Sequence, residues 1–193
     1  KNIYEEYKNF YQSRLKESSY YDFCSKSDLH ILPYFQDYYI EDLTPKIFLD
    51  WQNSKNKFSY KYKTGLRIYL NSILNYEKYY EIPNKLKKVD NFRNVEKKQE
   101  MLFYSPEEFN QFINCINNDI YKTFFYCLYF TGARKGELLA TSWKDWDLKN
   151  GYLNIDKTIT RKVFGGNWTI TSPKNQSSIR KIRLPSNLIN IME

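Results

Sequence analysis

A mainly α protein with a smaller β part is the fold class this sequence predicts, and three observations carry the prediction. Four stripes of apolar residues at helical spacing occupy the amino-terminal part. A charged stretch without any apolar period follows them. Beyond it, two more helical stripes give way to short β-type runs separated by glycine. The expected architecture is a four-helix bundle, then a mixed α/β unit with a small antiparallel sheet and an extended hairpin.

The elements follow in order. Ile3, Tyr7, Phe10, Tyr11 and Leu15 share one helical face over residues 3–15. A second helix runs from Ser19 to near His30, with Pro33 closing it. Thr44-Pro45 supplies an N-cap and a proline at the first helical position, and turns Ile47, Phe48 and Trp51 inward. Ser59 caps a long helix whose stripe is Leu66, Tyr69, Leu70, Ile73 and Leu74; it stops near Tyr80, before Pro83. The residues from 84 to 103 are charged and aperiodic, so the domains are expected at 1–84 and 104–193, with 85–103 as a linker. The second unit opens on Ser105-Pro106-Glu107-Glu108, a capping box, followed by the stripe Phe109, Phe112, Ile113 and Ile116. Asp119 is the expected cap of the next helix, which faces Phe124, Phe125 and Leu128 inward and ends at Gly132 in a left-handed stop. A short helix from Arg134 to about Thr141 precedes strands expected at 143–147, 152–156, 158–164, 168–171 and 179–184. Gly165-Gly166 marks a hairpin tip, and a last helix starts at Ser186.

Composition narrows the function. Apolar residues make up 41% of the 193 and aromatics 19%, enough for a core and against disorder. No apolar run is long enough to span a bilayer and the start lacks a signal-peptide layout, so a soluble, intracellular protein is expected, without membrane contact. Cys24, Cys115 and Cys127 read as reduced core thiols. With His30 as the single histidine, a zinc site or a histidine-dependent triad lacks its usual groups, and no cofactor is expected.

Net charge is +8. Between Asp50 and Glu77 there is no acidic residue, while Lys55, Lys57, Lys61, Lys63 and Arg67 alternate with aromatics. Seven cations and no acid occupy residues 157–183, among them Lys157, Arg161, Lys162 and Arg180. Two such stretches can be solvated basic faces, but phosphate contact accounts for them better.

The chemistry is concentrated in TGARKGELLATSWKDWDL, residues 131–148. Gly132 ends one helix, Arg134 begins the next, and Glu137 lies one turn on along the same face. A guanidinium fixed by a carboxylate can present its fork to a phosphate. Taken alone, the pair also fits a structural Arg–Glu contact. A nucleotide-binding loop is excluded, since G-x-x-x-x-G-K-[ST] is absent and no strand precedes the turn.

This stretch resembles the first catalytic box of the tyrosine recombinase, or phage integrase, family: T-G-x-R-x-x-E-L-x-x-L-x-W-x-D-[IV]-[DN]. It departs at Thr141, where Leu is usual, and at Trp146, where Ile is usual. Ser172 to Pro185 resembles the family's next phrase, P-K-T-x-x-S-x-R-x-[IV]-x-[IL], with Lys174 in the lysine position. Residues 30–52 are similar to the family's core-binding (SAM-like) domain, while Pro83-Asn84 inverts the usual Asn-Pro. The forty-residue step from Arg134 to Lys174 resembles the branch carried by integrative conjugative transposons and prophages, with its extended hairpin.

The resemblance implies a DNA recombinase that cleaves and rejoins strands through a 3′-phosphotyrosyl intermediate, needing neither metal nor nucleotide. It implies that Arg134 stabilises charge on the transferring phosphate, Glu137 supports the site, and Lys174 protonates the leaving 5′-oxygen. The family's His-x-x-Arg box and nucleophilic tyrosine have no counterpart here, so this chain alone is expected to be inactive. Implied partners are double-stranded DNA at attachment sites, further copies forming a tetramer on DNA, and an accessory excisionase or DNA-bending protein. A bacterial cytoplasmic, nucleoid-associated location follows by the same route. The alternative is a truncated, non-catalytic protein occupying attachment-type sites, and behind it a helical DNA-binding regulator.

Overall fold

The computed structural model describes residues 2–95, 100, 102–173 and 176–192, and the side chains of all of these except Asn2, Glu77 and Gln176. The chain divides into two compact units, Lys1–Gln99 and Glu100–Glu193. It is mainly helical with two small antiparallel sheets.

The first unit holds α1 (Asn2–Gln12), α2 (Glu17–His30), the single turn α3 (Leu32–Phe35), α4 (Pro45–Ser54) and α5 (Tyr60–Asn75), which runs on as a 3₁₀ turn to Tyr80. Pro33 sits in the first turn of α3, so it starts a helical turn as well as ending α2. Thr44 accepts from the Ile47 amide and Ser59 from the Tyr62 amide, each satisfying an otherwise orphaned N–H at a helix start. Phe23, Phe48, Trp51 and Leu66 are fully buried, each contributing about 1.5–3 kcal/mol of transfer energy or more. Tyr7 and Phe23 organise the centre, Tyr7 stacking on Tyr11 and meeting Phe23 edge-on.

The expected linker begins later than its composition suggested. Residues 85–88 form a 3₁₀ turn capped by Asn84, Leu86 is fully buried, and Val89 packs on the same core. Arg67 donates to the carbonyls of Leu86 (3.2 Å) and Val89 (2.6 Å) and to the Gln52 side chain, whose Nε2 in turn reaches the Asp90 carbonyl (3.1 Å). One apolar side chain and a few backbone acceptors thus tie a lysine-rich segment down, which a periodicity argument does not detect.

The second unit contains α6 (Pro106–Asn114), α7 (Asp119–Thr131), α8 (Lys135–Leu138), strands β1 (Trp146–Asp147), β2 (Tyr152–Ile155), β3 (Thr158–Thr160), β4 (Thr169–Thr171) and β5 (Arg180–Arg183), and α9 (Ser186–Met192). The capping box is formed: Ser105 N–H donates to Glu108 (2.8 Å) and Glu108 N–H to Ser105 Oγ (3.2 Å). Asn118, not Asp119, caps α7, its Oδ1 accepting from the Tyr121 amide at 3.1 Å. The expected strand at 143–147 is mostly a 3₁₀ turn over Trp143–Asp145, because Asp145 accepts from the backbone and hydroxyl of Ser142 and closes the chain locally. β3 stops at Thr160, where Thr160 Oγ1 accepts from the Lys162 amide and a turn from Val163 to Gly166 takes over. Gly165 and Gly166 both have positive φ in the β3–β4 connection.

β2 is the middle strand of a three-stranded sheet, paired with β1 on one side and β5 on the other, with Leu153 opposite Ile182. Leu153 and Ile155 point from it into a core shared with Cys127, Leu138, Leu184 and Leu188. Cys24 and Cys127 are buried free thiols, as expected, but Cys115 is exposed at the end of α6.

Candidate functional site

The turn between α7 and α8 is built by local chemistry. Thr131 Oγ1 donates to the Cys127 carbonyl (2.5 Å) and accepts from the Ala133 amide (3.2 Å), while Gly132 turns left-handed at φ 59° and closes α7 on the Leu128 carbonyl. The chain leaves this turn with Arg134 as the residue before α8 and Glu137 one turn later. Glu137 is buried, its side chain 6% exposed, whereas that of Arg134 is 74% exposed.

Three N–H donors, from two guanidinium groups and one backbone amide, converge on that carboxylate. Oε1 accepts from Arg134 Nη1 at 2.7 Å, and Oε2 accepts from the Arg134 amide at 2.9 Å and from Arg180 Nη2 at 2.8 Å. Burial by itself pushes the Glu137 carboxyl up, but the hydrogen bonds from Arg180 and from the Arg134 amide and side chain outweigh it and hold the group at about 2. Glu137 is therefore an anion across the neutral range, braced from β5 and from its own turn, with the Arg134 fork resting against it and facing solvent.

Gly136 lets α8 lie against β3: a Cβ there would stand 2.8 Å from Thr158 Oγ1 and 3.0 Å from the Ile159 carbonyl oxygen. The two departures from the family pattern meet each other. Trp146 Nε1 donates to Thr141 Oγ1 at 3.2 Å, and Thr141 donates to the Leu138 carbonyl at 2.8 Å. A tryptophan in place of isoleucine brings an N–H, and the threonine in place of leucine supplies its acceptor.

The other candidate residues separate into two groups. Arg67, Lys157 and Arg180 are engaged with protein and do not form a free basic face. Arg67 is turned inward onto the 86–90 segment, as described above. Lys157 donates to Asp145 (2.6 Å) and Asp156 (3.2 Å), and the bond to Asp145 raises its pKa. Its run is acid-free only from position 157 onward; the acids come from just before it. Arg180 belongs to the Glu137 cluster, and its Nη1 also donates to the Ser178 carbonyl. Lys55, Lys57, Lys61 and Lys63 lie around the start of α5. The Lys55, Lys57 and Lys63 ammonium groups stand 5.9, 5.5 and 5.2 Å from the rings of Trp51, Phe58 and Phe92, and Lys61 is exposed. Arg161 and Lys162 are exposed on the β3–β4 connection, where Arg161 lies 5.3 Å from the Trp168 ring and donates to the Gly166 carbonyl. Lys174 lies outside the described residues.

His30 was not singled out beyond its being alone, yet it stands among these lysines. Its Nε2 is 2.8 Å from the Tyr62 hydroxyl, and burial, then Lys55 and Lys57, lower its pKa. Among the described residues no group of three or more His, Cys, Asp or Glu could hold a metal ion, and no helix is long and apolar enough to cross a membrane.

The first unit is a helical bundle, and in the second an arginine from β5 braces a carboxylate beside a left-handed helix stop. The comparisons with known proteins show what this arrangement is similar to. Residues 1–56 match the family described as phage integrase, N-terminal SAM-like domain. Half of the chain, 98 residues, is 36% identical to the ICEBs1 integrase of Bacillus subtilis, over 26% of that protein. A tyrosine recombinase XerC-like protein of Caldanaerobacter subterraneus is 29% identical over 97 residues, 47% of this chain and 25% of that protein. Among solved structures, the Tn1549 transposon integrase in complex with a circular intermediate DNA superposes with a TM-score of 0.74 at 17% identity, over 98% of this chain and 63% of that one. A lambda integrase tetramer bound to a Holliday junction gives 0.67 at 17% identity, over 89% and 49%. Residues 1–56 thus match a phage-integrase domain, and the chain is similar in sequence to integrases and a tyrosine recombinase-like protein. Its match spans about a quarter of the length of these curated relatives.

Proposed function

We propose that this chain supplies the DNA grip and the first part of the active site of a site-specific integrase, one that breaks and rejoins DNA through a 3′-phosphotyrosyl bond. The observation that carries the reading is the Arg134 side chain, 74% exposed and yet fixed from behind by a buried carboxylate. A guanidinium in that setting can place two N–H donors on a phosphate oxygen pair without first losing side-chain freedom. During attack on the phosphodiester, negative charge builds on the non-bridging oxygens, and Arg134 offsets it. Glu137 holds Arg134 in register. Lys174 is proposed as the acid that gives its proton to the departing 5′-oxygen. The tyrosine nucleophile and the remaining family groups are supplied from outside these residues, so the chain alone binds DNA without cleaving it. Double-stranded attachment-site DNA, further copies in a tetramer and an accessory DNA-bending or excision factor are the proposed partners, in the cytoplasm of a bacterium.

The binding half is tested with the 193-residue chain and a fluorescent duplex titrated over a range of salt. With about six phosphates neutralised, log K falls against log[salt] with a slope near −5. Lys61→Ala flattens that slope by about one and weakens all sequences alike, whereas Arg67→Ala leaves it unchanged while loosening the first unit. A salt-independent affinity contradicts the reading.

A further inference from the structure

We infer that Arg180 is a positioning residue of the strand-transfer site: it holds the Glu137 carboxylate, and through it the Arg134 guanidinium, in the phosphate-ready orientation. The inference rests on the proposed role of Arg134 and adds to it a residue first read as a phosphate contact.

The geometry separates Arg180 from a DNA-facing cation. Its Nη2 is spent on Glu137 Oε2 at 2.8 Å and its Nη1 on the Ser178 carbonyl at 3.2 Å. Its side chain is 32% exposed, against 74% for Arg134. Arg180 begins β5, whose ladder with β2 fixes its backbone opposite Ile155, a fully buried core residue. Arg134 has no such anchor, since it precedes a helix of a single turn. The strand thus carries the inner arginine and the turn before α8 carries the outer one, with a single carboxylate between them. Among the described residues Glu137 divides its oxygens accordingly: Oε1 serves the Arg134 side chain, while Oε2 is shared by the Arg134 amide and Arg180. Without Arg180, Oε2 keeps only the amide of its own turn, and the carboxylate can swing with α8. The carboxylate would then follow Arg134 instead of fixing it, and a displacement of about 1 Å at a reacting phosphate costs on the order of a hundredfold in rate.

Among the described residues, the charged groups bonded to Glu137 are those two arginines; β3, packed on the same turn at Gly136, brings Thr158, Ile159 and Thr160 and no charge. The test therefore has two arms. In the 193-residue chain, Arg180→Gln raises the Glu137 carboxyl titration, followed by side-chain carbon NMR, by about one pH unit or more, and Arg180→Lys restores most of the difference. In the recombinase that carries this chain, Arg180→Gln lowers the single-turnover cleavage rate by roughly ten- to a hundredfold at unchanged DNA affinity, and the acid limb of its rate profile moves to higher pH. Arg180→Lys recovers part of the rate without moving the limb.

Weakened DNA binding with a flatter salt slope and an unmoved carboxyl titration would overturn the proposal in favour of a phosphate contact. A lowered melting temperature with normal cleavage per folded molecule and an unmoved limb would overturn it in favour of a purely structural ion pair. If the carboxyl moves as expected but Arg134→Ala cleaves at the wild-type rate, Arg180 still positions Arg134, and it is the phosphate role of Arg134 that fails.

Discussion

Gly136→Ala and Gly65→Ala are the same chemical change in two helices, and the structure gives them opposite signs. At Gly65, within α5, an added Cβ meets nothing within 4 Å. The only consequence there is a smaller loss of backbone freedom on folding, a gain of about 0.5–1 kcal/mol. At Gly136 the Cβ stands 2.8 Å from Thr158 Oγ1 and 3.0 Å from the Ile159 carbonyl oxygen. The threonine can rotate away, but the carbonyl is backbone of β3 and cannot, so α8 must lift off the strand. Overpacking of this kind costs about 1–3 kcal/mol, and a one-turn helix returns little of it as propensity, leaving a net loss of about 1–2 kcal/mol. For a unit of this size that lowers the melting temperature by roughly 5–10 °C, while Gly65→Ala raises the stability of the other unit by a few degrees. Hydrogen exchange followed by mass spectrometry reads the two units separately. Gly136→Ala as stable as the wild type, or the same sign for both substitutions, would refute the close α8–β3 approach.

Two further outcomes follow from the same site. Glu137 titrates at about 2 when folded against 4.5 ordinarily, so its carboxylate contributes stability above the higher value that is lost as pH falls toward the lower. The second unit therefore loses on the order of 2 kcal/mol between about pH 4.5 and pH 2, and Glu137→Gln flattens that part of the profile, measured by denaturant midpoints at each pH. Thr141→Leu strands the Trp146 N–H and costs about 1–2 kcal/mol, whereas Thr141→Leu with Trp146→Ile restores the family's usual pair and recovers part of it; a double-mutant cycle showing no coupling would mean the hydrogen bond contributes nothing.

How much of this was legible in the sequence depends on how far apart the partners are. Thr44, Ser59 and the Ser105–Glu108 box could be read because a cap bonds within three residues of itself. Gly132 was legible because a left-handed stop demands glycine. Arg134 and Glu137 were legible as a pair for the same local reason. Arg180 was not, since its partner lies 43 residues away and only strand register brings it there. Arg67 read as a basic-face residue because its acceptors are backbone carbonyls about twenty residues on, which no side-chain pattern announces. Lys157 misled for a related reason: Asp145 approaches it from a turn that sequence spacing assigned to a strand.

The central claim, that Arg134 acts on the transferring phosphate and is not one half of a structural ion pair, is met most directly by one comparison. In the full-length recombinase proposed above, wild type and Arg134→Ala are measured side by side on a nicked substrate that traps the covalent intermediate, with duplex affinity and thermal melting taken from the same preparation. Arg134→Ala is expected to keep its DNA affinity and its melting temperature while covalent complex forms about a hundredfold more slowly or worse. Cleavage at the wild-type rate, or loss of the fold together with loss of cleavage, would contradict the account.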